Sequence, residues 1–177
     1  MAKSRTFVVD AYNVIRSLLS REELSHGLEA ARNILEARLR SFQARSIPAP
    51  RILLVYDGDA SSQSSTWTSG ALEVYFARPP RKADDLILSL CRKLEGAGDV
   101  HVVTSDVADI GERIGNLRLE HWTAQEFAEL VAGKVRPRKG SGGLAARGEA
   151  KPESIHRSEV DRWVDEFGFG KEGRRES

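Results

Sequence analysis

The sequence predicts an α/β domain built on a largely parallel, doubly wound sheet, and two patterns carry that expectation. Apolar runs short enough to be strands alternate along the chain with segments of helical period. The clearest of those runs, ILLVY at 52–56, is apolar without interruption, as a strand buried on both faces of a parallel sheet must be. At 177 residues and 40% hydrophobic content, the chain has enough apolar surface for one full core.

The elements follow in order. Thr6 to Val9 makes a short buried strand, closed by Asp10; Asn13 lies one helical turn further on, just before the apolar pair Val14 and Ile15. Leu28, Ala31, Leu35, Leu39 and Phe42 mark one face of a helix over 25–45, which Ile47, Pro48 and Pro50 terminate. The second strand, 51–58, is stopped by Asp57 and Gly58. A serine-rich loop, 59–70, carries one aromatic residue, Trp67, and leads into a third strand at 72–77. Arg78, Pro79, Pro80, Arg81 and Lys82 form a stiff basic turn, and a helix starting at Ala83 is closed by Gly96 or Gly98. A fourth strand is expected at 100–105, a short helix at 106–116 and a fifth strand at 117–122. Thr123 and Glu126 form a capping box that opens a last helix running to about Gly133.

The character then changes. Residues 1–134 read as the folded domain, 135–156 as a flexible basic linker with little to bury, and 157–177 as a short helix and tail, with Val160, Trp163, Val164 and Phe167 on one side of that helix. Net charge is +1, but its distribution is uneven: 11 basic and 8 acidic side chains follow residue 133, against 16 and 18 before it. A slightly acidic body therefore carries a basic tail. Cys91 is the only cysteine, which excludes an intramolecular disulfide and a cysteine-rich zinc site. No run approaches the roughly 20 apolar residues of a bilayer span, and the first residues lack a signal-peptide core, so no membrane partner and a cytoplasmic setting are expected. Cys91 and Trp122 read as packing residues, and the four histidines show no metal-ligand spacing.

The chemistry lies in where the aspartates fall. Asp10 and Asp57 close the first and second strands, Asp106 follows the fourth, and Asp84 and Asp85 open the helix after the third. In an open α/β sheet the carboxyl ends of the strands share one edge, and ligands bind where strand order reverses. With the first strand central, Asp10, Asp57, Asp84 and Asp106 converge there. Several carboxylates in one cleft raise each other's pKa unless a cation neutralises them. Oxygen-only ligation suits Mg²⁺ or Mn²⁺, and these ions serve phosphodiester hydrolysis. Asn13 then orients a carboxylate or a metal-held water without adding charge. Taken singly, Asp10, Asp84 and Asp106 each read better as a helix N-cap, but four carboxylates on one edge make joint capping the weaker account; Asp57 still suits simple turn chemistry, and Asn13 suits an early-helix hydrogen bond equally well.

The stretches FVVDAYNVI, LLVYDG, VYFARPPRKADDLIL and HVVTSD, in that order, resemble the signature of the NYN domain within the PIN-like nuclease superfamily, most closely its YacP-like branch. The resemblance spans about residues 5–132. It implies a PIN-like three-layer α/β/α sandwich with a mainly parallel central sheet, and a metal-dependent ribonuclease using Mg²⁺ or Mn²⁺. Matched residue by residue, it implies catalytic roles for Asp10, Asn13, Asp84 and Asp106, with Asp10, Asp57, Asp84 and Asp106 as metal ligands. Asp85 is a further acid ranked behind Asp84, and Thr104 or Ser105 is placed to hydrogen-bond a ligand water.

RNA is the expected partner. Arg78, Arg81 and Lys82 precede Asp84 and suit an RNA backbone, though a solvated turn explains them equally. The basic run Lys134, Arg136, Arg138 and Lys139 suits RNA or a ribosome, or a merely solvated linker. A haloacid-dehalogenase-type phosphatase would need an aspartate where Tyr12 stands, and a receiver domain would need an acidic pair and a lysine that the sequence does not supply. The rival from another class is a catalytically degenerate module that holds RNA or a protein without cutting. Such a module has no need of four clustered aspartates.

Overall fold

In the computed structural model, residues 5–58, 67–105, 113, 114, 117 and 119–135 are described. The chain runs β1 (Thr6–Asp10), α1 (Ala11–Leu18), α2 (Arg21–Ser25), α3 (Leu28–Arg45), β2 (Arg51–Asp57), β3 (Trp67–Ser69), β4 (Leu72–Ala77), α4 (Ala83–Lys93), β5 (Val100–Val103), β6 (Glu120–Trp122) and α5 (Ala124–Val131). Six strands form one sheet in the order β3-β4-β2-β1-β5-β6. The five from β4 to β6 are parallel, and β3 is an antiparallel edge strand on β4.

Register explains the layers. Phe7 pairs with Ile52 and His101, and Val9 with Leu54 and Val103, so these residues line one face of the sheet. They pack with Val14 and Ile15 of α1, Leu35 and Leu39 of α3, and Phe127 of α5. The alternate residues Val8, Leu53, Val55 and Val102 line the other face and pack with Ile87, Leu88 and Cys91 of α4. The result is helix, sheet, helix: the three-layer α/β/α arrangement with a mainly parallel sheet. Both faces are covered, which is why ILLVY at 52–56 is apolar throughout and wholly buried.

Three local differences from the sequence reading have physical causes. The expected helix over 25–45 starts only at Leu28, because Gly27 sits at φ 102, outside the helical region, and residues 21–25 form a separate turn of helix under a Ser20–Glu23 capping box. Trp67–Ser69, inside the expected loop, pairs with Leu72–Val74 as β3, the chain reversing through Gly70 at φ 63. The strands expected at 100–105 and 117–122 are trimmed to Val100–Val103 and Glu120–Trp122. Of the expected helix at 106–116, only Arg113 and Ile114 are described, and they are helical; the linker and the helix at 158–167 lie outside the described residues.

Leu35 is fully buried at the centre of the larger core cluster. Leu35→Ala is therefore expected to cost about 2–5 kcal/mol by urea denaturation. Arg40→Ala, which breaks an exposed i,i+4 pair to Glu36, is expected to cost under about 0.5 kcal/mol. Equal losses in the two variants would contradict this placement of the core.

Candidate functional site

β1 is the switch point of the sheet: β2 and β4 lie on one side of it, β5 and β6 on the other. Side chains at the carboxyl end of β1 therefore open into the crevice where α/β sheets hold ligands. Asp10 is the last residue of β1, paired with Val55. Asp57 ends β2 two residues further along, paired with Ala77 of β4.

Asp10 is also the N-cap of α1, so the capping reading of this residue holds. Its Oδ1 accepts from the Asn13 backbone N–H at 3.3 Å, and its Oδ2 accepts from the Asn13 side-chain amide at 2.8 Å. Capping does not exhaust its chemistry. Burial pushes its pKa up to about 7, the Asn13 backbone N–H pulls the other way, and the carboxylates of Asp84 and Asp57 push it further up. Three carboxylates thus act on one another at this edge, and Asn13 favours the ionised form of the central one.

The N-cap of α4 is Lys82, which makes no side-chain capping hydrogen bond. Asp84 and Asp85 are consequently first-turn residues, and the capping alternative does not apply to Asp84. Consecutive helix positions diverge by about 100°, and the two carboxylates part company accordingly. Asp84 acts on Asp10, while Asp85 Oδ1 accepts from Arg113 Nη2 at 3.1 Å.

Thr104, one residue beyond β5, is fully buried. Its N–H donates to the Trp122 carbonyl at 3.1 Å, and its own carbonyl lies 3.0 Å from His121 Nε2. Ser105 is half-buried, and Asp106 lies outside the described residues. Arg78, Arg81 and Lys82 are all exposed, with the Arg81 N–H donating to the Arg78 carbonyl at 2.8 Å.

A second group was missed by sequence spacing. Asp99, His101 and Glu120 each offer a ligand atom within 4.8 Å of the others, so the three could hold a metal ion. His101, given no role on sequence grounds, is brought beside Glu120 by β5–β6 pairing. The group sits at the amino ends of β5 and β6, the opposite edge from Asp10. His101 Nδ1 accepts from Trp122 Nε1 at 3.1 Å and lies 3.1 Å from Glu120 Oε2, and His101 Nε2 lies 3.1 Å from Asp99 Oδ1. Asp99 also pairs with Arg5 at 3.3 Å. Strand alternation alone could not disclose this group, because Glu120 lies 19 residues away and only register unites them.

No described helix is long and apolar enough to cross a membrane. The family model for the YacP-like NYN domain matches residues 7–156. Two solved structures share the fold: Rae1 (YacP) from Bacillus subtilis, with a TM-score of 0.54, 24% identity, and coverage of 73% of this chain and 76% of that one; and a tryptophan-to-leucine variant of the same protein, with a TM-score of 0.55, 24% identity, and coverage of 73% and 77%. Comparison with curated proteins gives no match.

Proposed function

The chain belongs to the YacP-like NYN domain family, which is nuclease-like, and from that premise we propose that it is a divalent-metal-dependent endoribonuclease hydrolysing RNA phosphodiester bonds. The observation that carries this reading is Asp10: a half-buried carboxyl at the switch point whose pKa stands near 7 under burial and the added charge of Asp84 and Asp57. Without a cation such a cluster is costly. Its donors are carboxylate oxygens, the set that fits Mg²⁺ or Mn²⁺.

In this reading Asp10, Asp57, Asp84 and Asp106 would hold the ion. When bound, the ion lowers the pKa of water and offsets charge building on the phosphate. Asn13 fixes the carboxylate plane of Asp10 through the 2.8 Å bond to Oδ2. Thr104 or Ser105 would hydrogen-bond a water held by the ion. Arg78, Arg81 and Lys82, at the entrance to α4, draw the RNA backbone toward an otherwise acidic edge. No side chain serves as nucleophile. The basic run from Lys134 to Lys139 would add affinity for RNA or a ribosome, and the cellular setting this reading implies is RNA decay or translation-linked cleavage of messenger RNA.

The direct test is cleavage of labelled single-stranded RNA with Mg²⁺ or Mn²⁺, set against EDTA. Cutting that survives EDTA would remove the metal from the reading. Binding without cutting under any divalent ion would establish the degenerate binding module instead. Asn13→Ala sharpens the test. Losing the hydrogen bond that favours ionised Asp10 should move the acid limb of the pH–rate profile to higher pH, lowering activity at pH 6 by about tenfold with less effect at pH 8. A uniform loss at both pH values would assign Asn13 a purely structural part.

A further inference from the structure

Beside the carboxylate edge, the outer face of α4 carries a groove of about 460 Å³. Its floor is the buried Leu88 and the half-buried Ser89. Its rim holds four cations, Arg81, Arg92, Lys93 and Arg113, against one carboxylate, Asp85, which is already paired with Arg113 at 3.1 Å. Helix-end electrostatics account for Arg92 and Lys93, because cations are favoured in a last turn. They do not account for the cluster. Arg81 comes from the turn before α4 and Arg113 from a segment beyond β5, so three separate stretches of chain bring positive charge to one concavity.

We infer that this groove on α4 is a binding site for the phosphate backbone of a single RNA strand, leading into the carboxylate site at Asp84. The choice of RNA rests on the ribonuclease reading above; the anion-binding character rests on the groove itself. Asp84 and Asp85 share the first turn of α4, so a strand whose scissile phosphate lies at Asp84 meets the groove within one residue of it. From Asp85 to Lys93 the helix advances about 12 Å, room for a short run of nucleotides past Arg92 and Lys93. Leu88 gives the floor an apolar surface for a sugar or base, and the Ser89 hydroxyl is a donor for a phosphate oxygen. Cations on the rim meet phosphates whatever base each carries, so the grip is independent of sequence. It grips the strand on one side of the cut and so determines which side of the scissile bond must be long.

The test is fluorescence anisotropy with a labelled single-stranded RNA in EDTA, so that cleavage plays no part. Arg92 and Lys93 are exposed, and Arg92→Gln/Lys93→Gln should fold as the parent does, with circular dichroism as the check. The double variant is expected to bind about tenfold more weakly near 0.1 M salt. Its slope of log affinity against log salt should be shallower by about 1.4, two phosphate contacts at roughly 0.7 each. Arg92→Lys/Lys93→Arg, which keeps both charges, should restore both quantities. Unchanged affinity and slope in the Gln variant would overturn the proposal. So would a polyglutamate peptide that binds as tightly as RNA of equal charge, since the groove would then belong to an acidic protein. The two readings fail separately: metal-dependent cutting with normal binding by the Gln variant removes the groove alone, and weakened binding without any cutting removes the nuclease alone.

Discussion

Asp10→Asn is expected to lower Mn²⁺-dependent cleavage of single-stranded RNA by about 100- to 1,000-fold while leaving RNA binding in EDTA within about twofold. Asparagine caps a helix as well as aspartate does, and its Oδ1 can still accept from the Asn13 backbone N–H. Asn13 can turn its carboxamide to meet the new Nδ2. The fold is therefore retained, and what disappears is one negative charge at the centre of the cluster. Asp57 and Asp84 remain, but both lie off the central strand, and neither takes the position Asp10 holds between β2 and β5. Single-turnover cleavage with the variant measures this without interference from product release. Activity within tenfold of the parent would show that Asp10 does not hold the ion and would move the site elsewhere on the molecule.

The same substitution should stabilise the metal-free protein, and only at neutral and alkaline pH. In the unfolded chain Asp10 ionises near its ordinary value of 3.8; in the folded chain it ionises near 7. Between those values the folded state binds the extra proton, so parent stability falls as pH rises from about 4 to 7 and stays at its reduced level above that. Three units correspond to at most about 4 kcal/mol. Asp10→Asn removes the penalty: its advantage over the parent should be near zero at pH 4 and largest at pH 8, as read from urea unfolding in EDTA. Mn²⁺ should reverse the order. A cation raises the parent's melting temperature at pH 8, and this effect fades below about pH 7 as protons compete for Asp10. The variant should lack most of the response. Parallel stability curves for parent and variant across pH 4–8 would show that Asp10 is neither desolvated nor crowded by charge.

Where sequence and structure agree, local chemistry suffices. ILLVY at 52–56 calls for burial on both faces, so a strand inside a parallel sheet follows from composition alone. Asp10 and Asn13 lie one helical turn apart on the same piece of chain, and their contact follows from that spacing. Thr123 and Glu126 make the capping box their identities announce. Where the two part, the deciding groups are far apart in the chain or the decision is conformational. Gly27 delays the helix expected from residue 25 to Leu28, since leucine periodicity cannot register a single residue with positive φ. Asp84 and Asp85 look alike in sequence; the turn of α4 sends one toward Asp10 and the other to Arg113.

The amino-acid sequence by itself determined the α/β class, the alternation of elements, the family, and the run of acidic residues at strand ends, because each of these depends on composition and short-range spacing. Only the tertiary structure decided that β1 lies between β2 and β5, that Asp57 and Asp84 press on Asp10, that His101 meets Asp99 and Glu120, and that cations from three segments surround one groove. The reason is common to all four. Coulombic and hydrogen-bonding forces act over a few ångströms in space, and which residues come that close depends on strand register and helix rotation, neither of which is written locally in the chain.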